Sequence, residues 1–115
     1  MTNNERWRRV VGWLRKVHPP HLPITVHQVE PETIDKKYGH TWLDDDAGYL
    51  RIEINKRKWF GQKLDTVLHE WAHALTWFGA ETNYEDHSAE WGIAYAKVYR
   101  TFLRWYYGKP QQPEE

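Results

Sequence analysis

The chain contains no cysteine, which excludes disulfide bridges, a cysteine nucleophile and any zinc ribbon or finger built on thiolates. It has no surplus of either charge. Sixteen Lys and Arg balance sixteen Asp and Glu, so the formal net charge is zero, and nothing in that total draws the chain nonspecifically to nucleic acid or acidic lipid. It also lacks a long apolar run. The opening MTNNERWRRVVGWLRKV is too polar for a signal peptide, and no segment is built to span a bilayer, so the expectation is a soluble cytoplasmic protein.

What is abundant is aromatic. Eight Trp, seven Tyr and three Phe stand among 115 residues, and large rings supply much buried area to a short chain. That length suits one domain, expected over residues 1–108, with a polar, proline-containing tail over 109–115 that should be disordered. Two groups of cations stand out, Arg6, Arg8, Arg9, Arg15 and Lys16 near the start and Lys56, Arg57 and Lys58 later. Such groups are ordinarily solvated faces, and contact with a polyanion is the minority reading.

Periodicity places the elements. Residues 5–17 read as an amphipathic helix with Trp7, Val10, Val11, Leu14 and Val17 on one face, capped by Asn3 or Asn4 and stopped by Pro19-Pro20. Residues 24–29 alternate as a strand, and 31–37 form a turn or short helix. Residues 38–43 and 49–55 are two more strands joined by an acidic turn containing Gly48. In the second of these Leu50, Ile52 and Ile54 face the core, and Arg51, Glu53 and Asn55 face water. Residues 60–78 carry Leu64, Val67, Leu68, Trp71, Leu75 and Phe78 at helical steps up to a stop at Gly79. After a polar loop over 80–87, Ser88 caps a last helix with the stripe Trp91, Tyr95, Val98, Phe102 and Trp105, ending at Gly108. Helix, strands, helix, helix is the order of an α+β fold, with a sheet of about three strands, antiparallel or mixed.

The chemistry sits in His69-Glu70-Trp71-Ala72-His73, an H-E-x-x-H segment. Four residues on a helix is one turn, so both imidazoles leave the same face and can reach one metal, while Glu70 stands beside that face to take a proton from metal-bound water. On a helical wheel the two histidines lie away from the stripe of Leu64, Trp71 and Leu75, where a core histidine would not be. Seven histidines make a chance match the bland alternative, and the strongly patterned helix weighs against it. A catalytic zinc needs a third protein ligand. His87 is preferred, just ahead of the last helix. Glu90 competes, although an acid in the first turn also suits the helix dipole.

His69-Glu70-Trp71-Ala72-His73-Ala74-Leu75, followed by His87-Ser88-Ala89-Glu90-Trp91, resembles the SprT-like, or Spartan-type, zinc peptidase domain over residues 49–99. The resemblance implies a zincin-like fold, one Zn²⁺ held by His69, His73 and His87, and Glu70 as catalytic base. Ser88-Ala89 stands where that family usually has Gly-Pro, and the zinc ribbon common after such domains is absent. Larger members of that family are associated with cleaving proteins bound or crosslinked to DNA, using DNA-binding parts outside this core, so the resemblance implies DNA as a weaker partner expectation beside the protein or peptide substrate. Peptide hydrolysis is therefore the expected activity. The strand 49–55 is read as an edge on which an extended substrate could pair, and Tyr84, Tyr95 and His40 are candidate oxyanion donors. The competing expectations are a noncatalytic zinc-binding or nucleic-acid or protein-interaction module using the basic N-terminal helix, and an inactive zincin-like scaffold.

Overall fold

The structure is a computed structural model that describes residues 1–44, 46–77 and 88–108. The first helix, α1 (Asn3–Val17), begins two residues earlier than its periodicity implies. Thr2 rather than Asn3 or Asn4 caps it: Thr2 Oγ1 accepts the Glu5 N–H at 3.1 Å and Glu5 Oε1 accepts the Thr2 N–H at 2.7 Å, a reciprocal capping box. Trp7, Val10 and Leu14 are buried. Val17, expected on the same face, is exposed, because the chain leaves the helix at His18 before Pro19 and Pro20.

The sheet has the order β1-β3-β2, with β1 (Ile24–Val29) parallel and β2 (Gly39–Asp44) antiparallel to β3 (Tyr49–Asn55). The β2–β3 hairpin closes through the Gly48 N–H to the Asp44 carbonyl at 2.8 Å, with Gly48 at φ 77°. β3 is thus the central strand and not an edge. Leu50, Ile52 and Ile54 are the most apolar alternating set in the sheet and are fully buried. Flanking β3 on both sides also satisfies its backbone groups away from water. To reach the far side of β3 after β1, the chain passes through a 3-10 turn, Pro31–Ile34. Its exit bends through Asp35 and Lys36 at positive φ and buries Ile34.

The opposite face of β3 is drier than its alternation implies. Glu53 and Asn55 are buried. Arg51 Nε bonds Glu53 Oε2 at 2.8 Å and its Nη1 reaches His27 Nε2 at 3.0 Å, laying the guanidinium over the carboxylate. Asn55 donates to the Lys37 carbonyl at 3.0 Å and accepts the Arg57 N–H at 2.9 Å, so the 3-10 connection and the turn after β3 seal it. Buried polar groups paired in this way avoid the desolvation cost that an apolar pattern alone would predict for them.

α2 (Phe60–Leu75) lies on the Leu50/Ile52/Ile54 face, and α1 and α3 (Ala89–Tyr107) pack against it. Val67, Leu68, Trp71, Ala72 and Ala74 of α2 are inaccessible to solvent, each large one contributing about 1.5–3 kcal/mol of transfer free energy. Trp71 Nε1 donates to the His18 carbonyl at 2.8 Å and His18 Nε2 meets Thr101 Oγ1 at 2.8 Å, so one polar line ties α2, the end of α1 and α3. The architecture is α+β, three helices on a three-stranded mixed sheet. Phe78, Gly79 and the tail over 109–115 lie outside the described residues. Among the described residues no helix is long and apolar enough to cross a membrane.

Candidate metal centre

α2 presents two faces. Leu64, Val67, Leu68 and Trp71 enter the core, while Gln62, Asp65, Thr66, His69 and Glu70 line a cleft of about 460 Å³ that is closed on other sides by Tyr38, Gly39 and Tyr95. His69 and His73 are half-buried on the same side, with ring centroids 5.1 Å apart. Two nitrogens bound to one tetrahedral zinc at about 2.0–2.1 Å each stand roughly 3.4 Å apart, which rings at this spacing can supply. The donor set suits zinc, neutral imidazole on a rigid helix, and nothing thiolate is needed.

Glu70 is buried at the cleft wall, and Thr41 fixes it. The Thr41 hydroxyl donates to Glu70 Oε1 at 2.6 Å, and its oxygen lies 3.3 Å from the Glu70 carbonyl oxygen, so β2 grips the carboxylate across the helix–sheet contact. That contact is close because of Gly39. A Cβ there would lie 2.6 Å from Thr66 Cγ2 and 3.2 Å from Glu70 Cγ, so only glycine lets β2 lie this near the motif.

From the other side α3 brings Trp91. Ser88 Oγ accepts the Trp91 N–H at 3.2 Å, starting the helix as its sequence implies, and the indole lands on both imidazoles. Its centroid is 5.3 Å from His73, near-parallel at 29°, and 4.9 Å from His69, edge-on. Its Nε1 donates to the His69 carbonyl at 3.4 Å. The stripe assigned to core packing thus serves the imidazoles at its first turn. Tyr95 follows one turn on, stacked on Trp91 at 5.0 Å and 5.7 Å from His69. Burial, with Asp65 and Tyr99 nearby, raises the Tyr95 pKa above that of an ordinary phenol and keeps its O–H protonated.

No family model, curated protein or solved structure matches the chain.

The remaining residues singled out from sequence divide as follows. His87 and Tyr84 lie outside the described residues. Glu90 is exposed in the first turn of α3, a position that suits the helix dipole, and no group of three His, Asp or Glu side chains converges for a metal among the described residues. His40 is not brought to the cleft. Its strand neighbours Gly39 and Thr41 face α2, so alternation turns His40 to the other face of the sheet, in register with Glu53 and His27. Of the three candidate donors Tyr95 alone lines the cleft among the described residues. Thr41 was missed because a strand threonine carries no catalytic signature. Gly39 had one, since a glycine inside a strand pattern marks close backbone approach.

Proposed function

We propose that this protein is a zinc-dependent peptidase of the SprT-like kind, in which His69, His73 and His87 would hold the metal and Glu70 is the general base. One observation carries the reading: two imidazoles stand one helical turn apart, 5.1 Å between centroids, and one of them, His69, lines a cleft with a carboxylate that a neighbouring strand holds in place. A zinc ion held by these residues would supply Lewis acidity to the scissile carbonyl and to the attacking water.

The chain's own groups do the rest. Glu70, oriented through Oε1 by Thr41, takes the proton of the attacking water and returns it to the departing amine. The Tyr95 phenol, protonated across the neutral range, stands at the cleft wall as a donor to a developing oxyanion. β2 is an edge strand among the described residues and lies beside Glu70, so the substrate backbone is assigned to β2 and not to β3. Main-chain pairing there gives affinity without demanding a sequence.

Metal analysis and two substitutions test the proposal. Purified protein should carry close to one zinc per chain. Glu70→Gln should retain it and lose hydrolysis, and His73→Ala should lose both. Undiminished hydrolysis by Glu70→Gln would sink the assigned base. Loss of zinc in His87→Ala with retention in Glu90→Gln would fix the third ligand.

A second reading has its own support. α1 sets Arg6, Arg8, Arg9, Arg15 and Lys16 against Glu5, and α3 sets Lys97, Arg100 and Arg104 against Glu90, so two helices hold a net charge of +6 in a chain whose total is zero. All eight cations are exposed, and the helices join through Trp13 stacked on Trp105 at 4.9 Å with Arg9 over Trp105 at 5.2 Å. Such a surface fits a nucleic-acid backbone. Affinity for a single-stranded oligonucleotide that falls steeply with salt supports this function, and no binding at low salt removes it.

A further inference from the structure

The cleft holds a group that the hydrolytic machinery does not use. Asp65 lies on its wall, exposed, and makes no hydrogen bond or salt bridge among the described residues. With Glu70 it gives the lining two carboxylates, and no Lys or Arg belongs to that lining among the described residues. Two aromatic rings flank the same space, Tyr38 ahead of β2 and Tyr95 on α3. The Tyr38 ring also carries a cation–π contact from the chain itself, with Lys58 Nζ 4.4 Å from its centroid.

We propose that this part of the cleft is a subsite for a cationic side chain of the substrate, lysine or arginine, with Asp65 as its counter-charge and the Tyr38 and Tyr95 rings as its walls. The assignment rests on the peptidase reading and names the substrate class for that site. Distance supports it. Asp65 precedes His69 by four residues on α2, a rise of about 6 Å, which is roughly the reach of an extended lysine side chain from its backbone. A substrate whose scissile bond lies at His69 therefore delivers the charged end of a flanking residue to Asp65 and its aliphatic stem to the rings.

The alternative source of preference is shape alone, in which a neutral side chain of equal length serves as well. Zinc-loaded full-length protein is incubated with a randomised dodecapeptide mixture, and cleavage positions are read by mass spectrometry. Lysine and arginine should be enriched at one position beside the cleaved bond. The kcat/KM ratio for a lysine peptide over its norleucine counterpart should fall about fivefold in Asp65→Asn. In Asp65→Lys the preference should turn to Asp and Glu. Cleavage without cationic enrichment, or a ratio unchanged in Asp65→Asn, overturns the subsite and leaves the peptidase reading standing. If zinc-loaded protein cleaves nothing, the peptidase reading fails and the subsite is judged by binding. Calorimetry of the same two peptides on Glu70→Gln should favour lysine, and the preference should shrink in Glu70→Gln/Asp65→Asn. Equal affinities for lysine and norleucine overturn it there.

Discussion

The Thr41 hydroxyl donates to Glu70 Oε1 across 2.6 Å, joining the edge strand of the sheet to the acid of the H-E-x-x-H helix. A hydrogen bond to a charged group is worth about 1.5–3 kcal/mol, and this one holds a carboxylate whose usefulness depends on its direction. Thr41→Val should keep zinc and lower kcat by roughly one to two orders of magnitude, with KM little changed. Thr41→Ser should recover most of the loss. Equal kcat in Thr41→Val and the parent chain would remove Thr41 from the site.

Gly39 and Gly12 make opposite predictions for the same substitution. Gly39→Ala drives a methyl group into Thr66 and toward Glu70 and should cost about 1–3 kcal/mol, seen as a lower denaturation midpoint. A Cβ on Gly12, inside α1, meets nothing within 4 Å, so Gly12→Ala should stabilise by roughly 0.5–1 kcal/mol. A rise in stability for Gly39→Ala would mean that β2 and α2 are not in tight contact.

Trp71 is a core residue inside the metal motif, and its indole N–H satisfies the His18 carbonyl at 2.8 Å. Trp71→Phe keeps most of the apolar volume but strands that acceptor. It should destabilise by about 2–4 kcal/mol, combining a lost buried hydrogen bond with a small cavity. Zinc content of the folded fraction should stay near the parent value, which separates a packing role from a ligand role.

His18 makes stability depend on pH. Burial first, and the Lys97 ammonium second, lower its pKa, and Thr101, which donates its own O–H to the Lys97 carbonyl at 2.9 Å, accepts from the neutral ring. The folded protein therefore binds this proton less readily than the unfolded chain. The stabilising effect is complete above the ordinary histidine value of about 6.5 and is lost as pH falls from there through the folded pKa. Urea midpoints should drop between pH 7.5 and 5.5, and His18→Gln should flatten part of that slope. His27, whose pKa is lowered by burial and Arg51 against an opposing pull from Glu53, should contribute in the same direction.

Local pattern determined much of this protein. The alternation of Leu50, Ile52 and Ile54, the three-and-four spacing from Leu64 to Trp71, Ser88 ahead of α3 and Gly108 behind it each act over a few residues, so they could be read without a fold. The spacing of His69 and His73 belongs to the same class, because one helical turn sets it. Tertiary structure alone decided the strand order β1-β3-β2 and its mixed pairing, since both arise from contacts between strands that no single strand's pattern contains. It also decided that Glu53 and Asn55 are sealed by Arg51 and the Lys37 carbonyl, that His40 turns away while Thr41 turns in, and that Trp91 covers the imidazoles. Those facts depend on contacts between residues far apart in the chain, whose energies no local window contains.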